Sequence, residues 1–420
     1  MPLHFTPSTP VISDLTLHLQ MPNLPQTEQT EVRGTFFPSE WHPQSGVQLT
    51  WPHAGTDWAP LLAEADDCFV HIALEVLLRN EIVLVVTPEP ERVKALMHER
   101  IPARLLPLVR YFECPTNDTW ARDHAFLTLL TEDGPRLLDF QFNGWGMKFP
   151  AELDNQICRR MADFESLPPI GEDGEGSFLH GSYEPHLDFV FEGGSVETDG
   201  KGTLLVTSQC LLSPNRNPSF SRQEIEERLL RYFHANRVLW LDHGYLAGDD
   251  TDSHIDTLAR FCPNNVIAYV QCTDPADEHF EALAAMEEQL KTFSLSPWRE
   301  TSRSSEEPSI GSAILPPTEE VEERLFHLIP LPLPDPVYDP DDGHRLPATY
   351  ANFLILNGAV LMPTYGQPVT DELARRQLQK AFPKYDIVPV DSRILIRQHG
   401  SIHCSTMQYP VGVVKRVKSE

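Results

Sequence analysis

Positive charge is scarce in this sequence: 33 Lys and Arg stand against 61 Asp and Glu in 420 residues, a formal charge of −28 at pH 7. Binding to nucleic acid without sequence preference rests on Lys and Arg neutralising phosphate, so no nucleic-acid partner is expected. Anionic membrane surfaces are disfavoured for the same reason. No apolar run is long enough to span a bilayer, and the Pro-rich first thirty residues carry no Lys or Arg to begin a secretory signal, so the expected location is cytoplasmic. The seven cysteines (68, 114, 158, 210, 262, 272 and 404) form no C-x-x-C pair and are odd in number, which argues against both a disulfide framework and a zinc module. A small cation is the partner that such a surface admits.

What is present is a recurring helix and strand. Apolar residues at spacings of three and four from Leu61 to Leu78 predict an amphipathic helix, followed by a buried strand over Glu81 to Thr87. Ser221, three residues before Glu224, predicts a helix start for Ser221 to His234, with a strand over Val238 to Leu241. Asp371 to Phe382 precedes the strand Tyr385 to Val390, and Glu278 to Thr292 follows the strand Val266 to Cys272. A hairpin is expected between Phe126 to Leu130 and Arg136 to Phe140, turning at Glu132, Asp133 and Gly134. The class is α/β. Residues 1–33 read as a mobile tail, and a Glu-rich stretch at about 299–324 as a solvated insertion in the domain of residues 34–420. Without tail and insertion roughly 360 residues remain, room for about five units of about 70.

The polar clusters stand beside the predicted strands. There are five: Asn117-Asp118-Thr119-Trp120-Ala121-Arg122-Asp123, Phe191-Glu192-Gly193-Gly194-Ser195, Gly248 to Asp256, Tyr350-Ala351-Asn352-Phe353, and Gly400-Ser401-Ile402-His403-Cys404. His254 and Asp256, two apart, would share one face of a strand, a pairing suited to acid/base chemistry. A calcium loop would need a central glycine and a terminal bidentate Glu, and Asp249 to Arg260 has neither, so no metal is expected. Glu192 ends the alternating strand Leu187 to Phe191, before two glycines that let a ligand approach. Cys404 follows a strand-like stretch, Arg393 to Arg397. A cysteine is a nucleophile only as thiolate and needs a base nearby; His403, adjacent on a strand, would point away, so His254 is the expected partner. Asp123, Glu192 and Asp256 together call for a cation that satisfies several carboxylates, which planar guanidinium does with five donors. Trp120 is placed to cover its flat face.

These clusters carry a resemblance. Asn117 to Asp123, Glu192 to Ser195, Gly202-Thr203-Leu204-Leu205 through Cys210 to Asn215-Arg216-Asn217-Pro218, His254-Ile255-Asp256, Tyr350 to Phe353, and Ile402-His403-Cys404 stand in the order of the agmatine deiminase and bacterial-type peptidyl-arginine deiminase family. The likeness runs from about Phe36 to Tyr409, the insertion excepted. It implies the pentein fold, a five-bladed α/β propeller of ββαβ units around a central site. It further implies Cys404 as nucleophile, His254 as general acid/base, Asp123 and Asp256 as guanidinium-binding carboxylates, and Glu192 near the reacting nitrogens. Trp120 would lie along the substrate, and Asn352 would support the nucleophile. Where the family often has three glycines, this chain has Gln398 and His399 before Gly400, so His399 is expected to enter the pocket.

The expected reaction is deimination through a covalent thiouronium on Cys404, with no cofactor, because the substrate's own charge makes its carbon electrophilic. Agmatine is the preferred substrate. Free arginine would require a cation for its carboxylate, with Arg122 and Arg216 as the available residues, and peptidyl-arginine is the nearest alternative. A non-enzymatic propeller and a cysteine protease are the rivals from other classes; homo-oligomerisation is left open.

Overall fold

The computed structural model describes residues 34–165, 178–295 and 325–415; the expected tail (1–33) and Glu-rich insertion (299–324) lie outside them. Among the described residues sixteen strands fall into five separate small sheets, and four of these have the same three-strand construction. In the first sheet β1 (Gln44–Thr50), β2 (Ile82–Thr87) and β3 (Val109–Glu113) run parallel, with helices Leu62–Leu78 and Pro90–Arg100 between them. The second has β4 (Leu127–Thr131) antiparallel to β5 (Gly134–Gln141), then helix Ile157–Glu165, then β6 (Ser182–Val190) parallel to β5. The third repeats this with β7 (Val196–Thr198), β8 (Thr203–Thr207), helix Arg222–Tyr232 and β9 (Arg237–Leu241). The fourth is β10 (Ala259–Cys262), β11 (Val266–Gln271), helix Phe280–Leu295 and β12 (His327–Pro332). The fifth is β13 (Leu354–Leu356), β14 (Ala359–Thr364), helix Pro368–Ala381 and β15 (Asp386–Asp391). Finally β16 (Thr406–Pro410) returns to pair antiparallel with β1, supplying the first sheet with its missing antiparallel strand.

The local chemistry explains the elements. Inner strands such as β2 (IVLVVT) and β11 (VIAYVQ) read as apolar runs, because helices cover one face and neighbouring sheets the other. Helix Leu62–Leu78 buries Ala65, Phe69, Ile72, Ala73 and Val76, the stripe expected of a 3.6-residue period, and burying Phe69 alone contributes about 1.5–3 kcal/mol. Ser221 caps its helix through the expected box, its hydroxyl accepting from the Glu224 N–H while the Glu224 carboxylate accepts from the Ser221 N–H. The hairpin turning at Gly134 is also present.

Two local expectations are corrected. Arg393 to Arg397 is not a strand: Arg393–Ile396 forms a helical turn that buries the adjacent residues Leu395 and Ile396, and so short an apolar run satisfies either period. His254 and Asp256 do not sit on a strand either. His254 precedes a 3-10 turn, Ile255–Thr257, and the strand starts only at Ala259.

No helix among the described residues is long and apolar enough to cross a membrane.

Candidate active site

Each of the five polar clusters ends in a turn immediately before the first strand of an antiparallel pair. Ala121–His124 precedes β4, Gly193–Ser195 precedes β7, Ile255–Thr257 precedes β10, the turn at Tyr350 and Ala351 precedes β13, and the turn Ile402 to Ser405 precedes β16. Five equivalent positions of five sheets thereby bring together side chains far apart in sequence. Asn352 ties two of them. Its Oδ1 accepts from the backbone N–H of His403 and of Cys404 at 3.0 and 3.2 Å, while its Nδ2 lies 3.2 Å from both Cys404 Sγ and Asp256 Oδ2. Cys404 Sγ is 3.7 Å from Asp256 Oδ2. His403, expected to point away, turns its Nδ1 to the same oxygen at 2.7 Å, because it and Cys404 belong to a turn rather than a strand.

Asp123 and His254 form the opposite part of the group. Asp123 Oδ1 accepts from Gly194 N at 2.9 Å and lies 3.6 Å from His254 Nδ1; its Oδ2 accepts from the Trp145 indole at 3.0 Å. Gly194 is required by close approach: a Cβ there would come within 2.6 Å of His254 Nδ1 and 2.9 Å of Asp123 Oδ1. His254 Nε2 stands 3.5 Å from Glu192 Oε2. Like His254 and Asp256, Glu192 is fully buried behind the residues that line the cleft. Arg216 Nε reaches both of its oxygens, at 3.0 and 2.8 Å, and holds it behind His254.

The cleft encloses about 540 Å³ of space, its open mouth included. Cys404, Asp123, Trp120 and His399 line it, as do Trp145 and Phe149. Trp120 packs against Gly400 so tightly that a Cβ there would fall 2.1 Å from the ring, which explains why one glycine of that stretch is kept. His399 enters the wall as expected, with Nδ1 2.7 Å from the Gly248 carbonyl. Asp57, Asp118, Asp249 and Asp250 complete the acidic lining, and no Lys or Arg is among the lining residues. Arg122 and Arg216 are committed elsewhere, Arg122 to Glu40 and Gln408, Arg216 to Glu192 and Asp252. Among the described residues two donor groups have metal-like spacing, Glu192 with Cys210 and His254, and Glu40 with Glu197 and His403. Their carboxylates are already neutralised by Arg216, or by Arg122 and Arg260, so the charge a metal would supply is in place.

Trp145, Arg216 and Glu40 were not singled out from sequence for the positions they take. Gly144-Trp145-Gly146 carried a signal: Trp145 has φ of 55°, an uncommon conformation for an aromatic residue, and the flanking glycines also have positive φ. Arg216 lay within a recognised motif but was read as a cation for substrate. For Glu40 there was none, since its partner His403 is 363 residues away.

Burial and charge set the protonation states. Burial, then Asp256 and Asp123, holds the Cys404 thiol well above the usual range, so it carries its proton at neutral pH. Burial alone would strip His254 of its proton; Asp123 above all outweighs it and holds the imidazolium well above its ordinary value. Burial raises Asp123 to about 6, against the pull of His254. Against the push of burial, the His403 hydrogen bond keeps Asp256 low, and Arg216 does the same for Glu192. Asp256 Oδ1 is buried with no hydrogen-bond partner among the described residues, an acceptor of the kind a guanidinium satisfies.

The sequence profile of the Porphyromonas-type peptidyl-arginine deiminases matches residues 36–301 and 298–410. The chain belongs to that family. Among family relatives, an agmatine deiminase from Pseudomonas syringae pv. tomato is 30% identical over 400 residues, covering 90% of this chain and 96% of the relative. A C. jejuni agmatine deiminase, solved as a Cys-to-Ser variant with substrate bound, superposes with a TM-score of 0.73 at 32% identity, covering 89% of this chain and 96% of that one. A Porphyromonas gingivalis structure, named provisionally as an arginine deiminase, superposes with a TM-score of 0.76 at 45% identity, covering 91% and 100%. The family thus shares the mixed α/β architecture of small sheets found here.

Proposed function

We propose that this chain is an agmatine deiminase, hydrolysing the guanidino group of agmatine to N-carbamoylputrescine and ammonia, a step toward putrescine. The observation that carries this reading is the cleft itself. Cys404 and Asp123 line it, His254 and Asp256 pack directly behind them, and its walls hold Asp57, Asp118, Asp249 and Asp250 with no lining Lys or Arg. Agmatine is cationic at both ends and suits such walls. Arginine would bring a carboxylate among four aspartates, and a peptidyl-arginine would leave them without a cation.

In this reading Asp123 and Asp256 hold the guanidinium and Trp120 lies along it. The cation offsets the two charges that keep Cys404 protonated, so substrate binding favours the thiolate. Sulfur attacks the guanidinium carbon, His254 gives its proton to the departing ammonia, and a thiouronium remains. His254, now neutral, activates a water that attacks the same carbon, and the ureido product leaves as the C–S bond breaks. Glu192 steadies the charge on His254. The five similar sheets, with β16 completing the first, support a five-bladed propeller spanning residues 34–420. Seven cysteines without a disulfide suit the reducing cytoplasm.

The test compares agmatine, free arginine and an arginine-containing peptide, measuring ammonia and ureido product. The expected kcat/KM for agmatine exceeds that for either competitor by at least about a hundredfold, the scale of one buried ion pair gained or lost. Equal turnover of arginine would overturn the substrate assignment, and no turnover of any of the three would overturn the enzyme.

A further inference from the structure

Between β5 and the helix Ile157–Glu165 the backbone takes a course that L-residues rarely follow. Gly144, Trp145, Gly146 and Met147 have φ of 67°, 55°, 82° and 66°, four left-handed residues in succession, two of them with large side chains. The turn is held from outside. Asn143 spans its start, Oδ1 accepting from Gly146 N and Nδ2 donating to the Asn215 carbonyl, both at 2.9 Å. At its end Lys148 Nζ donates to the Asp250 carbonyl at 2.5 Å and to Asp252 Oδ1 at 2.7 Å, on the stretch that leads into His254. Phe142 and Phe149 meet the Trp145 ring nearly at right angles, with centroids 5.1 and 5.6 Å away. Together these contacts aim one atom: the indole N–H reaches Asp123 Oδ2 at 3.0 Å in a buried contact.

That contact bears on charge. Indole N–H only donates, as does the Gly194 N–H, which reaches Asp123 Oδ1 at 2.9 Å. A proton on Asp123 finds no acceptor in either, whereas the ionised carboxylate is matched by both. One N–H on each oxygen also fixes the carboxylate plane and leaves further lone pairs for a guanidinium. The surroundings are otherwise divided. Burial pushes the Asp123 carboxyl up, His254 at 3.6 Å pulls it down, Asp256 and Glu192 push it up, and Trp145 pulls it down, while the Cys404 thiol is uncharged.

We propose that Trp145 is the positioning residue of Asp123, its indole N–H keeping that carboxylate ionised and in the plane that receives the guanidinium. This rests on the reading in which Asp123 holds the substrate cation. The left-handed turn is the means of delivery. A ring that merely filled the cleft wall would need neither the N–H nor a backbone so placed to aim it.

The test is Trp145→Phe in the full chain, read in two ways. One is the infrared band of the protonated Asp123 carboxyl between pH 4 and 8, assigned by its loss in Asp123→Asn. The other is kcat/KM for agmatine at pH 6 and pH 8. The expected infrared midpoint lies about one pH unit above that of wild type, the effect of losing one hydrogen bond to an ionised group. Moving the midpoint from about 6 to about 7 leaves roughly a tenth of Asp123 ionised at pH 6 instead of half. Relative to wild type, kcat/KM therefore falls about fivefold more at pH 6 than at pH 8. An unmoved midpoint, with equal losses at both pH values, makes Trp145 a wall residue and overturns the proposal. The infrared midpoint needs no substrate, so it judges Trp145 separately from the deiminase reading, which fails if wild type does not turn over agmatine. Should Trp145→Phe fail to fold, Trp145→benzothienylalanine, which exchanges the N–H for sulfur in a ring of the same outline, carries the same expected shift and the same overturning result.

Discussion

Cys404→Ser is expected to lower kcat for agmatine by at least about 10⁴-fold while substrate still binds, because the alkoxide needed to replace the thiolate is out of reach near neutral pH. The serine hydroxyl fits the same place, between Asn352 Nδ2 at 3.2 Å and Asp256 Oδ2 at 3.7 Å, so the fold is not disturbed. Asp123, His254 and Asp256 also stay in position, which makes the variant suitable for trapping bound agmatine. Steady-state ammonia release together with calorimetric binding checks both halves. Turnover within tenfold of wild type would mean that another group forms the bond to carbon.

Asp123→Asn has the second large effect, and it carries a pH signature. Asp123 must be ionised to hold a guanidinium, and burial places its pKa at about 6. The fraction ionised grows as pH rises through that value, so wild-type kcat/KM rises between pH 5 and 7 and falls on the acid side. The variant loses on the order of 10³-fold in kcat/KM, as expected for removing one member of a buried, hydrogen-bonded charge pair, and loses the acid limb with it. Stability moves the other way. A carboxyl whose folded pKa lies above its unfolded value of about 3.9 binds more protons when folded, so its contribution to stability declines as pH rises between about 4 and 6. At pH 7 the neutral amide removes that cost but also the charge that holds the His254 imidazolium, so the two contributions to the melting temperature of Asp123→Asn oppose each other. A flat wild-type kcat/KM from pH 5 to 7 would contradict the role given to Asp123.

Much of the fold was legible because its signals are local. The stripe from Ala65 to Val76, the Ser221 and Glu224 cap and the apolar middle strands each declare themselves within a dozen residues. The residues of the candidate site were legible for a related reason: every unit places its polar cluster in the turn before its first strand, so unusual polar clusters stood beside predicted strands. Direction was less legible. Two residues apart describes one face of a strand, but His254 and Asp256 flank the first residue of a 3-10 turn, and only tertiary packing decides between them. The pairing of Glu192 with Arg216 was not legible, because the guanidinium comes from 24 residues onward. Glu40 was silent altogether, since nothing in a short polar stretch reveals a partner brought in from the other end of the chain.

The most direct test of covalent catalysis at Cys404 is the mass of its peptide after acid quench of wild-type protein turning over agmatine. The account predicts a fraction of that peptide heavier by agmatine less one ammonia, absent without substrate and absent in Cys404→Ser. The same mass added to another residue, such as the buried Cys210 beside Glu192, would contradict it.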